Sequence, residues 1–588
     1  MSAEKPCIYE FGSFRLEAAK RLLLRNGGPV PLTPKAFDTL VYLVRHQGKV
    51  VAKNELMRVI WPDTVVEENN LNQNISTLRR ALGETRGDNV YIATIPGKGY
   101  QFIPAVEIIA GSEAEAALPV TLAVLPFENL SAQPERDYVA DGLTEELIAS
   151  LGLIDPQHFC VIGRTTMMSY KRTAKTLAQI AGELQAAYII ESSMRTEGQR
   201  LRITSKLIRV GDQAQLWSMS YDSQPGSILE FQQEISGTIC EQVRLRLSPE
   251  RLTALARRHS RNAEAYDLYL RGRHFWNQLS PATAKRASAF FLQATQLDPL
   301  YALAWSGLAD TYTASPINGD APPLEVGPLA RDAAAHAIAA DPTLADAQTS
   351  LGFVKFWIDW DWPAAVSAFR KAIALDGNHS LAHRLLGIVL SHMRRSDEAL
   401  AAIGRARQLD ALLAGHYALS AQIAFSGRDF AAAERFARQS ITIDPEFWIG
   451  HMQLGQALEQ LGKGEAALDA LNVAARLSGG NSKAISLRGY ILARMRRTGE
   501  AQEVLRMLET LSQERYVPPF AQALVYAGLD EHAHALQALE RALQVRDVHL
   551  AFLPVDAKWD AYRQDARFRS LLEACGFAGL QASKLSPG

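Results

Sequence analysis

At 588 residues the chain exceeds what one hydrophobic core can organise, so several domains are expected. With 47% apolar and 21% charged residues the composition excludes a disordered or collagen-like chain, and a formal net charge of -1 excludes a uniformly basic polyanion binder. The neutrality hides an asymmetry: residues 1–105 hold 14 Lys and Arg against 10 Asp and Glu, which suits a modestly basic module joined to a more acidic remainder. Cys7, Cys160, Cys240 and Cys575 lie far apart with no CxxC or Cys/His ligand spacing, so no disulfide framework or metal site is expected. The opening MSAEKPCIYEFG has no apolar signal core, and no apolar run approaches the roughly 18–20 residues of a membrane span. A cytoplasmic protein without membrane contact is expected.

In chain order, strand-like runs Ile8–Leu16 and Lys20–Leu24 come first. Thr33 then stands as N-cap to a helix with Pro34 at its first position, and Phe37, Leu40, Val41, Leu43 and Val44 share one face of it. A second helix is predicted over Lys53–Trp61, stopped by Pro62. A third runs from Glu68 to Leu82, burying Leu71, Ile75, Leu78 and Leu82 and turning Asn70, Asn74, Thr77, Arg79 and Arg80 outward. Val90–Ile95 and Tyr100–Ile103 flank Pro96-Gly97-Lys98-Gly99 as a hairpin. Trp61, Tyr100 and Phe102 are expected in the core. Helices followed by a glycine-turned hairpin make a helix-turn-helix with a wing.

The phrases LTPKAFDTLVYLVRHQGKVVAKNELMRVIWP, NLNQNISTLRRALG and YIATIPGKGYQF resemble the OmpR/PhoB-type winged-helix family over residues 1–105. The resemblance implies that the third helix enters the major groove of double-stranded DNA while the hairpin touches the neighbouring minor groove. Carried over by position, Asn70, Asn74, Thr77 and Arg79 face DNA, Arg80 lies near phosphate, and Lys98 reaches the backbone or minor groove from the wing tip. Arg79 and Arg80 also suit the negative end of the helix dipole, so a purely structural role stays open for them. Ser76 and Thr77 stand where relatives often carry basic residues, and Glu67 and Glu68 make the helix start acidic, which points to fewer base contacts. Too few residues precede the helices for a phospho-acceptor receiver.

Residues 106–117 (VEIIAGSEAEAA) lack strong periodicity and read as a linker. Over residues 118–248 the pattern is β-α-β-α-β-β-β, a small α/β domain, with a trailing helix over Ile228–Leu247. LAVLPFENLS, ADGLTEELIASL and YIIESSMRTEGQRLRITSKLI look like the amino-terminal domain of TolB and its relatives, a resemblance that carries over no catalytic residues. Asp141 reads as an N-cap with Glu145 and Glu146 in the first helical turn, and Arg164, Tyr170 and Lys171 as a solvated loop.

Over residues 263–549 small residues recur at Gly272, Gly307, Gly352, Gly387, Ala421, Gly455, Gly489 and Ala523, at intervals of 35, 45, 35, 34, 34, 34 and 34. A second punctuation, such as Asp298-Pro299 and Asp444-Pro445, keeps step, and Ala364, Ala399, Ala433, Ala467, Ala501 and Ala535 follow their markers by twelve residues. This array resembles the tetratricopeptide family in about eight units. The 45-residue interval implies a loop over Ser315–Gly327, and Phe552–Phe577 reads as a terminal cap, with residues 550–588 forming cap and tail. His379, His383, His392, His532 and His534 lack companion ligands and read as surface or packed groups. No phosphate-cradling loop, HExxH or GxSxG occurs, so no enzyme, metal or cofactor is expected.

The expected fold is therefore multidomain: an α+β winged helix, a small α/β domain and an all-α tetratricopeptide solenoid. The expected function is a DNA-binding transcriptional regulator whose repeats receive a protein, peptide or small-molecule signal in their groove. The resemblance also implies RNA polymerase as a partner and a homodimer on tandem sites. The alternative is an assembly scaffold in which the winged helix makes protein contacts.

Overall fold

The computed structural model describes residues 7–17, 22–25, 28–30, 32–60, 68–84, 90–110, 120–131, 134–152, 159–197, 200–223, 260, 262–278, 281–318 and 321–577. Two units divide the chain, Met1–Leu118 and Pro119–Gly588.

In the first unit β1 (Cys7–Phe11), β2 (Phe14–Glu17), β3 (Leu22–Arg25) and β4 (Gly28–Pro29) form an antiparallel meander. Thr33 caps α1 (Pro34–Arg45), its hydroxyl accepting from the Ala36 N–H. β5 (Val50–Ala52), α2 (Lys53–Ile60) and α3 (Glu68–Leu82) follow. The hairpin of β6 (Ile92–Ile95) and β7 (Gly99–Phe102) pairs with β5 to make a three-stranded sheet in the order β5-β7-β6. Leu71, Ile75, Leu78 and Leu82 of α3 are buried against Leu40, Leu43, Phe11, Ile92 and Phe102, as are Tyr100 and the other expected core positions; Trp61 lies outside the described residues.

The linker reading needs correction. Glu107–Ala110 is a strand, β8, that pairs antiparallel with β1 from Cys7 to Glu10. Without it the outer edge of β1 leaves its N–H and C=O groups unpaired. A four-residue strand joining a partner about a hundred positions earlier has no periodic signature of its own.

The second unit opens on a mixed sheet. β9 (Val120–Val124) leads by way of β10 (Glu128–Asn129) to α4 (Asp137–Gly152), then β11 (Phe159–Val161), α5 (Arg164–Met168), α6 (Leu177–Leu184), β12 (Tyr188–Glu197), β13 (Arg200–Arg209) and β14 (Ala214–Ser223). The order is β11-β9-β12-β13-β14, parallel through β12 and antiparallel beyond it. The trailing helix over Ile228–Leu247 falls outside the described residues. α4 starts at Asp137, earlier than expected, so Asp141, Glu145 and Glu146 lie inside it and not at its cap. Gly142 does not mark a helix start; it makes room for a neighbour, since a Cβ there would stand 2.6 Å from Leu270 Cδ2.

Beyond residue 262 the described helices pair eight times, from Ala263–Trp276 with Pro281–Leu297 to Pro519–Gly528 with His532–Gln544. The periodic small residue lets the two helices of a pair approach closely: at Gly272 a Cβ would lie 2.5 Å from the Phe291 ring, and at Gly352 2.6 Å from that of Phe369. The 45-residue interval is not a loop. The helix Ala302–Asn318 runs through Pro316 in its last turn, and Pro323 opens the next helix, Pro323–Ala340, at its first position. Seventeen- and eighteen-residue helices absorb the extra length that the prolines suggest as a loop.

The terminal segment does more than cap. Its helix Ala566–Ala574 meets the last pair through Arg567 and Glu540, 2.8 Å apart. The same segment also folds back: Trp362 Nε1 donates to Cys575 O (3.0 Å), Arg394 to Pro554 O (2.9 Å), and Trp362 stacks on Phe577. The coiling of the stack allows this, for Asn481 Nδ2 reaches Asn318 O at 2.8 Å. The α/β layer packs on the repeats as well, through α4, with Asn378 Nδ2 donating to Gly152 O at 3.0 Å, so layer and solenoid share one hydrophobic core.

Candidate nucleic-acid interface

The helix α3 presents two faces because its apolar residues recur at three and four positions. Opposite its buried leucines and Ile75, the stripe Asn70, Gln73, Ser76 and Arg80 is exposed, and Asn74, Thr77 and Arg79 are half-buried along its margins. Thr77 donates its hydroxyl back to Gln73 O at 2.9 Å. Asn74 holds a side-chain nitrogen sealed from solvent with no partner. Gln73 was not among the expected contacts, although helical spacing from Asn70 to Thr77 points to it.

Arg79 is placed differently from a base reader. Its Nη2 donates to Ile92 O and to Thr94 Oγ1, both at 2.8 Å, and its Nε lies 3.4 Å from Glu84 Oε2. The buried Glu84 carboxylate in turn accepts from the Tyr91 and Ile92 N–H groups. Arg79 and Glu84 thus rivet the end of α3 to β6. A second rivet joins β7, where Tyr100 Oη donates to Asn72 Oδ1 at 2.7 Å. The hairpin is therefore carried rigidly by the helix, with the turn at Gly97 (φ +72°) leaving Lys98 exposed at its tip. Arg80 and Lys98 are exposed cations, and α3 adds amide groups able to meet base edges or phosphate.

In the second unit, Asp141 accepts from Lys171 at 2.6 Å, and Glu145 joins Arg164, Arg273 and Asn277. The carboxylates of α4 therefore serve as joints between α4, α5 and the first repeat helix, and Lys171 is tied down and not part of a solvated loop. Among the described residues no group of three or more His, Cys, Asp and Glu is arranged to hold a metal, and no helix is long and apolar enough to cross a membrane.

Residues 27–102 match the family "Transcriptional regulatory protein, C terminal", and residues 118–237 match "HilA/YgeH-like transcriptional regulator, second domain", the latter over the segment with the TolB resemblance. Over 282 residues the chain is 29% identical to the Rhizobium meliloti (strain 1021) protein named "Putative adenylate cyclase 3", covering 47% of this chain and 41% of that one. Over 294 residues it is 28% identical to the transcriptional regulator HilA of Salmonella typhi, covering 49% and 50%. The chain thus spans half or less of the length of these relatives. The solved DNA-binding domain of Escherichia coli CadC is 30% identical, matching 18% of this chain and all of that one with a TM-score of 0.17. Residues 27–102 thus carry a winged helix of the OmpR/PhoB type, and the segment that follows is similar to the second domain of HilA/YgeH-like regulators.

Proposed function

We propose that this protein is a sequence-specific, DNA-binding transcriptional regulator whose C-terminal unit receives the controlling signal. The observation that carries the reading is the exposed amide and cation stripe of α3 riveted to a hairpin with a lysine tip. Asn70, Asn74, Thr77 and Arg80 act on the major-groove side and Lys98 on the adjacent backbone or minor groove; Arg79 acts by fixing the wing. Contact with RNA polymerase and pairing of two copies on tandem sites belong to the same reading. For the signal, a small molecule is favoured over an extended peptide. Helix α4 and the folded-back tail already pack on the first helices of the pairs, the surface that such arrays offer to peptides.

A gel shift of the full chain on genomic fragments, with a salt titration, tests the proposal. Specific fragments are expected to be retarded at low salt and released as salt rises. If no fragment binds at low salt, DNA recognition is excluded and the scaffold alternative takes its place.

A further inference from the structure

Inside the C-terminal unit a cavity of about 500 Å³ lies between the α/β layer and the first helices of the repeat pairs. Several charged groups on its wall are already satisfied. Glu145 holds Arg164 and Arg273. Asp410 accepts from the Thr166 N–H and Oγ1, both at 2.7 Å, and from the Thr165 N–H at 3.2 Å.

Arg384 is not. Its Nε is sealed from solvent without a hydrogen-bond partner, and among the described residues no carboxylate forms an ion pair with it. Its guanidinium rests against the first turn of the helix Ala414–Ser426, where a Cβ on Gly415 would stand 3.0 Å from Nη1. That helix starts after Leu413 with no side-chain cap. In the same turn His416 is fully buried with both ring nitrogens unpartnered.

A cation at the positive end of a helix is the wrong sign for its place, and an enclosed imidazole without a partner adds a further cost. Burial lowers the Arg384 pKa to about 10 and holds the His416 ring neutral. Two acids on the same wall, Asp410 and Asp310, attract the guanidinium without forming an ion pair with it: Asp410 is committed to Thr165 and Thr166, and burial raises both carboxyls, that of Asp310 up to about 7. An oxyanion answers all three features at once: it pairs with the guanidinium, accepts from the N–H groups of the helix start ahead of His416, whose own N–H already donates to Leu413 O at 2.9 Å, and accepts from the imidazole.

We propose that this cavity binds a small organic acid, its carboxylate or phosphate head held by Arg384, the first turn of Ala414–Ser426 and His416. Leu303, Leu381 and Phe447 line the space left for its body. The inference rests on reading the C-terminal unit as the part that receives the signal.

The test is thermal melting of the full chain, without DNA, in inorganic phosphate, succinate or hexanoate against sodium chloride of equal ionic strength. At least one oxyanion is expected to raise the melting temperature by about 3 °C or more, and the three arms separate a free phosphate from a carboxylate with or without an apolar body. Arg384→Gln is expected to abolish that rise and, without anion, to melt at or above the parent chain, since a cation held in the wall without an ion pair has gone. His416→Phe keeps the core filled and is expected to weaken the rise. No rise above chloride in any arm, an undiminished rise in either variant, or anion-free Arg384→Gln melting well below the parent overturns the proposal. Melting is read without DNA, so failure here leaves DNA binding intact, and a failed gel shift leaves this site intact.

Discussion

Two neighbouring arginines on α3 have different duties. Arg80 is exposed, so Arg80→Ala is expected to leave the melting of the N-terminal unit unchanged while weakening DNA binding and flattening the salt dependence by about 0.9 in log–log slope, one phosphate's share. Arg79→Ala strands Glu84 Oε2, which has no hydrogen-bond partner of its own, and removes the donors from Ile92 O and Thr94 Oγ1. Its expected cost is about 1–3 kcal/mol of stability in denaturant unfolding, with DNA binding lost only through the loosened wing. Equal effects of the two variants on stability would refute the division. The exposed stripe is legible in the sequence because it follows from helical period alone. Arg79's partners lie thirteen and fifteen positions away in a hairpin, and no local pattern reveals which of two adjacent arginines turns toward them.

Among the elements, those with long periodic faces are readable: α3, the strands β12 to β14, and the helix pairs with their small residues. The short or returning ones are not. β8 is too brief to show a period, and the terminal segment is recognisable as a cap but not as a strap, because its partners sit two hundred residues earlier. That strap has a pH signature. His392 is fully buried among Phe356, Trp357 and Phe552, and burial lowers its pKa to about 3. The unfolded imidazole takes a proton near 6.5 while the folded ring stays neutral, so its contribution is complete above that value and is lost as pH falls. From this residue the C-terminal unit should lose up to about 1.4 kcal/mol per pH unit below about pH 6.5. Urea midpoints at pH 7, 6 and 5 check this: His392→Leu should show the shallower pH dependence, and identical slopes would exclude His392 as the source.

At the scale of the whole molecule, the natural division runs near residue 118 and not between the sheet and the repeats. The periodic pattern marks the passage from the α/β segment ending at residue 248 to the repeats starting at 263, but it cannot register that Leu270 packs over Gly142 or that Asp410 is held by Thr165 and Thr166. These contacts make the α/β layer part of the solenoid's core, so a fragment of residues 263–588 should expose the apolar face that the layer covers and aggregate, whereas 119–588 should remain monodisperse in size-exclusion chromatography. The N-terminal boundary is equally specific. A fragment ending at residue 105 lacks β8 and leaves the β1 edge open; one ending at residue 112 keeps the strand. The longer fragment should therefore be more stable by about 1–3 kcal/mol in urea unfolding, the scale of a few net backbone hydrogen bonds. Both fragments retain α3 and the hairpin, so both should bind DNA with similar affinity at low temperature and diverge only as the shorter one unfolds. If the two fragments unfold at the same urea concentration, β8 contributes nothing to the fold, and the boundary at residue 105 suffices.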